Sequence, residues 1–321
     1  MIWHIVVFSL CQKANIMVYL KSFTFPTVEK EEKYLQDFYS IPVFGNQYYT
    51  NYYPFGVLSE IGCQKLDFEP ITILYGGNGS GKSTILNVIA KKLNLKRMSA
   101  YNTSNHMDAY VNLCLRETDL GWMTGEFDLD YLSKISHVIT SDDIFRKLLQ
   151  DRTKKDQNMM KSRMLIKEHQ LIKSGEKVSL DTTNDVELKK FLSNARDRKK
   201  STSGFIRDKL GKEEPGISNG ENSMVYMAQI LQDEGLYLLD EPENSLSATM
   251  QADFADLLVY MARNNSQIIM STHSPFLLSI PFAKIYNLDN GTSVSKFEEL
   301  ESSKLYFKLF DRMRNKFEME E

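Results

Sequence analysis

The chain has 321 residues, 42% of them hydrophobic and 25% charged, with a formal net charge of −3. That length suffices for one large core or two modest ones, and the balance excludes a disordered or fibrous chain. Three cysteines, Cys11, Cys63 and Cys114, are odd in number and include no C-x-x-C pair, which argues against a disulfide framework or zinc site and fits a reducing, cytoplasmic setting.

In chain order, Met1 to Leu10 is apolar but shorter than the eighteen or so residues of a spanning helix, and it lacks the flanks of a signal peptide. Residues 1–16 read as an extension ahead of a folded body that begins at Met17, and no membrane insertion is expected. Val18 to Phe25 and Gly56 to Phe68 read as strands of an antiparallel flap leading into a third, Ile71 to Tyr75.

Directly after that strand the chain reads Gly76-Gly77-Asn78-Gly79-Ser80-Gly81-Lys82-Ser83-Thr84, and an apolar-periodic stretch, Ile85 to Leu93, follows. Strand, glycine-rich loop and helix in this order form the setting a phosphate-binding P-loop requires. Its glycines let backbone N–H groups turn inward on phosphate oxygens, Lys82 offers a cation to the β- and γ-phosphates, and Ser83 offers a hydroxyl to Mg²⁺. The expected ligand is a nucleoside triphosphate, ATP with Mg²⁺.

Asp128 to Thr140 is mixed in pattern. Asp143 to Lys173 and Val186 to Lys200 read as helices separated by a turn-rich piece, Ser174 to Asn184. Residues 146–216 carry 19 Lys and Arg against 11 Asp and Glu, so the remainder of the chain holds −11. A solvated helical face explains such a charge run, and a basic surface for nucleic acid or an acidic partner explains it equally in kind. These residues read as a helical lobe inserted between 17–145 and 217–321.

Beyond Pro215 the α/β pattern returns, with helices at Glu221 to Asp233 and Ser247 to Asn264 and strands at Leu236 to Leu239, Gln267 to Ser271 and Lys284 to Leu288. Glu298 to Phe317 reads as a terminal helix. The strand before Asp240-Glu241-Pro242 ends in two carboxylates. Strand alternation would point them apart, Asp240 toward a metal and Glu241 toward a water that attacks the γ-phosphate. Ser218-Asn219-Gly220-Glu221 has the Ser-x-x-Glu spacing of a capping box, and a capped helix N-terminus is also an anion site. A further apolar strand ends in Thr272-His273-Ser274-Pro275.

Taken in order, these elements resemble the ATP-binding cassette (ABC) ATPases. The run Asp240 to Ser247 with Ser271 to Phe276 is similar to soluble ATPases near the RecF, SMC and OLD groups. The resemblance implies an α/β P-loop fold of ABC type, with a mixed sheet core, an antiparallel β flap and an inserted helical lobe. It implies Gly76 to Thr84 as the Walker A loop, Ser83 and Asp240 as metal ligands, Glu241 as general base, and His273 as the switch histidine acting with Lys82. It further implies that Ser218, Asn219, Gly220 and Glu221 form a signature motif reaching the nucleotide of a second subunit, hence a head-to-tail homodimer. The implied activity is ATP hydrolysis by a switch or motor working on DNA or on a separate effector, in DNA repair or phage defence. An ATPase subunit of a transporter and a non-hydrolysing nucleotide sensor are the alternatives.

Two departures stand out. No Gln occurs between Gln64 and Gln150, so the usual glutamine between the Walker motifs is missing, and Ser141 or Asp142 is the replacement expected at the metal. The adenine-stacking aromatic is open among Tyr52, Tyr53 and Phe55, with core packing beside Tyr48 and Tyr49 the competing role.

Overall fold

The computed structural model describes residues 17–39, 51–97, 99–119, 126–174, 197, 199–202, 204, 208–209, 219–231, 234–289 and 291–317. The elements in chain order are β1 (Leu20–Thr24), α1 (Val28–Tyr39), α2 (Val57–Glu60), β2 (Lys65–Asp67), β3 (Ile71–Tyr75), α3 (Lys82–Lys92), α4 (Met107–Leu113), β4 (Leu115–Thr118), α5 (Glu126–Ile135), β5 (His137–Thr140) and α6 (Ser141–Ser174). They continue with α7 (Asn219–Ile230), β6 (Gly235–Asp240), a 3₁₀ turn (Pro242–Ser245), α8 (Ala248–Arg263), β7 (Ser266–Ser271), α9 (Pro275–Leu278), β8 (Lys284–Asn287), β9 (Ser293–Ser295) and α10 (Glu301–Phe317). The extension at residues 1–16 and most of Val186 to Lys200 lie outside the described residues.

Two compact units emerge, one made of Met1–Ile144 with Gly220–Glu321 and the other of Phe145–Asn219. In the first, a six-stranded sheet runs β5-β6-β7-β3-β8-β9, parallel except for the antiparallel β8–β9 pair. A three-stranded antiparallel sheet, β2-β1-β4, accompanies it. The α/β class and the mixed sheet with its antiparallel companion are therefore as the motif order implied.

The core joins both sheets. Phe23 and Leu66 of the small sheet, Leu74, Leu236, Leu238 and Ile269 of the large one, and Ile85, Leu86, Val88 and Ile89 of α3 form one buried cluster. β3 and β7 are buried at every position, as parallel strands covered on both faces must be. A fully buried amide also ties the sheets: Gln267 of β7 accepts from Leu20 N–H at 2.8 Å and donates to Leu20 C=O at 2.9 Å, standing in for a neighbouring strand's backbone.

Two elements differ from the reading of the sequence. Gly56 to Phe68 is not one strand: α2 occupies its first part and only β2 is extended. Gly56 and Gly62 both adopt positive φ, and Cys63 N–H bonds back to Leu58 C=O, so the chain curls before it extends. The helix α1 was not anticipated, because its run of Glu and Lys hides a single buried anchor, Glu31. Its Oε2 accepts from Gly56 N–H at 2.8 Å and Ser59 Oγ at 2.9 Å, which fixes the loop into α2.

The second unit contains the greater part of α6. That helix is 34 residues long, about 50 Å at 1.5 Å per residue, and it covers the helix read from the sequence at Asp143 to Lys173. Within this unit the buried His169 bonds the Thr202 hydroxyl at 3.2 Å and Asp197 C=O at 3.0 Å, and Lys200 bridges Asp197 and Asp208.

Candidate functional site

The loop Gly76–Ser80, with Gly81, joins the buried strand β3 to α3. Gly81 is the N-cap of α3 in the left-handed region, φ 85°, and a Cβ at position 76 would fall 2.5 Å from Ser80 Oγ, so the loop has room for neither side chain. Gly77, Asn78 and Gly79 are exposed, and Thr84 in the first turn of α3 is buried. Lys82 is only 5% exposed, and its ammonium folds over the loop, donating to Gly76 C=O at 2.6 Å and Gly77 C=O at 2.9 Å. Burial lowers the Lys82 pKa, and the carboxylates of Glu241, Asp240, Asp289 and Glu243 act against that shift.

Across the sheet, the pairing of β6 with β7 brings Asp240 opposite Ser271, and the pairing of β5 with β6 brings Thr140 opposite Asp240. Asp240 Oδ1 accepts from Ser83 Oγ at 3.1 Å and from the Ser271 hydroxyl. Burial raises the Asp240 pKa; the two hydroxyl donors lower it, and the neighbouring Glu241 raises it again. Ser83 and Asp240 thus present two hard oxygen donors at hydrogen-bond separation, beside a loop shaped for phosphate, and that donor set fits Mg²⁺ rather than a soft metal. Among the described residues no group of three or more His, Cys, Asp and Glu side chains forms a protein-only metal cage.

Glu241 is not oriented by strand alternation, as its place at a strand end suggested. It leaves β6 in a left-handed conformation, φ 48° and ψ 53°, with its N–H bonded to both the carbonyl and the hydroxyl of Ser271 at 3.1 Å. That turn swings its carboxylate toward β7: Oε2 accepts from Asn244 Nδ2 at 3.0 Å, and Oε1 stands 3.8 Å from His273 Nε2. His273 in turn lies edge-on to Tyr75 at 6.4 Å.

The structure therefore gathers Lys82, Ser83, Asp240, Glu241 and His273 around the end of one sheet. An ABC transporter family model matches residues 65–244, more than half of the chain.

The chain belongs to the ABC family.

A second model, described as AAA domain, putative AbiEii toxin, Type IV TA system, matches residues 217–279 of this ABC protein. No curated protein matches it. Among solved structures, similarity is found to the Smc head domain with an extended coiled coil, bound to the C-terminal domain of ScpA, from Pyrococcus furiosus. The identity is 15%, with 78% of this chain and 95% of that chain covered and a TM-score of 0.36. The CbiO1 structure from Clostridium perfringens, part of the ABC transporter complex CbiONQ, is similar at 16% identity, over 80% of this chain and 90% of that one, with a TM-score of 0.39. A dimeric ATP-binding cassette in a post-hydrolysis state, bound to ADP and Pi, is similar at 15% identity, over 73% and 88% of the two chains, with a TM-score of 0.32.

The remaining residues singled out in the sequence are distributed as follows. Asn219 and Gly220 open α7 and Glu221 follows in its first turn, while Ser218 lies outside the described residues. Where the missing glutamine was expected, Asp143 caps α6 by accepting from Thr140 N–H and Thr140 Oγ1, both at 2.9 Å, whereas Asp142 is exposed and Ser141 half-buried. Of the aromatics, Phe55 is buried, stacked on Tyr34 at 4.8 Å and edge-on to Tyr110 at 4.9 Å, and Tyr52 packs on His106 at 5.1 Å. Both are packing residues. Tyr53 accepts from Asn87 at 3.5 Å, and Tyr48 and Tyr49 lie outside the described residues.

Sequence reasoning missed two participants. Ser271 serves both Asp240 and Glu241, and only the parallel register of β6 and β7 reveals it. Asp289, just after β8, accepts from Gly77 N–H at 2.6 Å and so pins the start of the phosphate loop. Its one sequence signal is the Asp-Asn-Gly turn that follows an apolar strand.

Proposed function

We propose that the protein binds ATP with Mg²⁺ and hydrolyses it between two head-to-tail copies. The observation that carries this reading is the Ser83–Asp240 contact at 3.1 Å, which joins the P-loop helix to the strand that delivers Glu241 toward His273. The loop N–H groups and Lys82 bind the phosphates. Bound Mg²⁺, held by Ser83 and Asp240, supplies charge neutralisation of the phosphate oxygens. Glu241 takes the proton of the attacking water, with Asn244 fixing one of its oxygens, and His273 offers a donor to the γ-phosphate. Ser218 to Glu221 complete the pocket of the second copy.

The test is turnover in three forms of the protein. Glu241→Gln binds ATP and loses at least about a hundredfold in kcat, the range of a positioned general base. Lys82→Ala loses nucleotide affinity instead. Equal rates for Glu241→Gln and the parent would refute the role of Glu241, and no turnover in the parent would leave a nucleotide sensor as the function.

The partner is read from charge. The excess of eight positive charges over residues 146–216 suits a polyanion, and DNA engagement in genome maintenance or phage defence is the role we favour. A transporter subunit is the competing role, and stable co-purification with a membrane permease would establish it.

A further inference from the structure

Glu243 is a carboxylate that the chemistry above leaves unused, and it is only 7% exposed. It lies in the turn Pro242–Ser245, two residues after Glu241. Its Oε1 accepts from two successive backbone donors, His273 N–H at 2.7 Å and Ser274 N–H at 3.2 Å, while Oε2 is buried with no hydrogen-bond partner. A buried carboxylate with one oxygen unpartnered is costly, so its remaining bonds carry its retention.

Those bonds reach the segment that presents His273. Ser274 is further fixed because its hydroxyl donates to Gln251 Oε1 at 2.8 Å and accepts from Leu277 N–H at 3.3 Å, capping α9. The backbone on either side of the imidazole is thus anchored, on one side to α8 and α9 and on the other to the turn that holds Glu241. The imidazole itself is not anchored: His273 Nε2 has no hydrogen-bond partner, and its 3.8 Å distance to Glu241 Oε1 is too long for one.

We infer that Glu243 is a positioning residue which fixes His273 relative to Glu241, so that displacement of the Pro242–Ser245 turn moves the imidazole with it. This rests on the reading of His273 as the γ-phosphate donor.

The experiment is a mutant cycle read in steady-state kinetics. Glu243→Ala lowers kcat by about tenfold or more with the KM for ATP within twofold of the parent, because misplacement of an acting group is felt in the reacting complex and not in phosphate binding. Glu243→Gln, whose amide oxygen still accepts both N–H groups, restores most of that rate. In a His273→Ala background, Glu243→Ala has no further effect. The proposal is overturned if Glu243→Ala retains the parent kcat, if KM rises by the same factor as kcat falls, or if it slows the His273→Ala enzyme by the full factor again. A parent without turnover is the failure of the ATPase reading alone. Amide exchange then decides: faster exchange at His273 and Ser274 in Glu243→Ala but not in Glu243→Gln supports the proposal, and equal exchange in all three sinks it.

Discussion

Asp240 shows how a single side chain is held against its own preference. Burial pushes its pKa up, so the folded chain holds the proton more tightly than the unfolded chain does, and ionising it at neutral pH works against folding. Asp240→Asn keeps an oxygen for Ser83 and Ser271 and removes the charge. The expected outcome is a higher melting temperature at pH 7 with loss of Mg²⁺-dependent turnover. The gain shrinks as pH falls through the raised pKa and vanishes below the ordinary carboxylate range; thermal scans from pH 7 to pH 4 check the sign. An Asp240→Asn protein that melts lower than the parent at pH 7 would contradict the argument. Residues of this kind were legible from sequence where the chemistry demands a local string, as in Gly76 to Thr84 or Asp240-Glu241. Ser271 and Asp289 were not, because their contacts depend on which strands lie side by side, and the left-handed turn at Glu241 was hidden because a residue other than glycine seldom adopts it.

At the scale of elements, more than one polar joint ties the two sheets: Tyr286 of β8 accepts from Asp67 N–H at 3.0 Å and donates to Asp67 C=O at 2.9 Å, and a buried amide makes another. Gln267 meets both backbone groups of Leu20, and it also donates to Glu69 C=O at 3.3 Å. Gln267→Leu matches the volume but leaves the Leu20 N–H and C=O without partners in a buried setting. At about 1 to 3 kcal/mol for each of the two orphaned groups, a loss of about 2 to 6 kcal/mol is expected, read from denaturant titration. A loss under about 1 kcal/mol would mean that the Tyr286–Asp67 bonds and the apolar packing hold the small sheet without Gln267. Of the large sheet, β3, β6, β7 and β8 were readable as apolar runs between turn signals, since a strand buried on both faces is apolar throughout, whereas β5 lay in a stretch of mixed pattern and β9 is short and polar. α2, read as strand, is a single short turn of helix, and α1, passed over although its apolar residues fall at helical spacing, is tied to it by Glu31, which finds Gly56 and Ser59 across a gap in sequence that no local pattern records.

For the whole molecule, the two proposals of assembly and partner can be separated. With ATP and Mg²⁺, Glu241→Gln is expected to run at twice the monomer mass by light scattering, and the Lys82→Ala protein is not; a monomer in both cases would remove the head-to-tail reading. DNA is expected to be shifted at low salt and released as salt rises, with a steep dependence set by the number of phosphates contacted. A shift missing at low salt removes DNA as the partner and leaves the effector protein. The change from apolar strands to a charged helical run falls near the boundary between the two units, and α6, Ser141–Ser174, lies within a few residues of the helix read at Asp143 to Lys173.

The strand that leads into the phosphate loop has β7 on one side and β8 on the other, and the loop's second glycine is bonded to Asp289. While the chain is being synthesised, the first third of it emerges with this strand lacking both neighbours, and about two hundred residues must follow before they arrive. The nucleotide cradle is thus among the last parts to close, with the slow, long-range pairing that such a layout entails. A chain cut before Lys284 lacks both β8 and Asp289 beside the loop, and on the function proposed above it is expected to gain no protection from ATP.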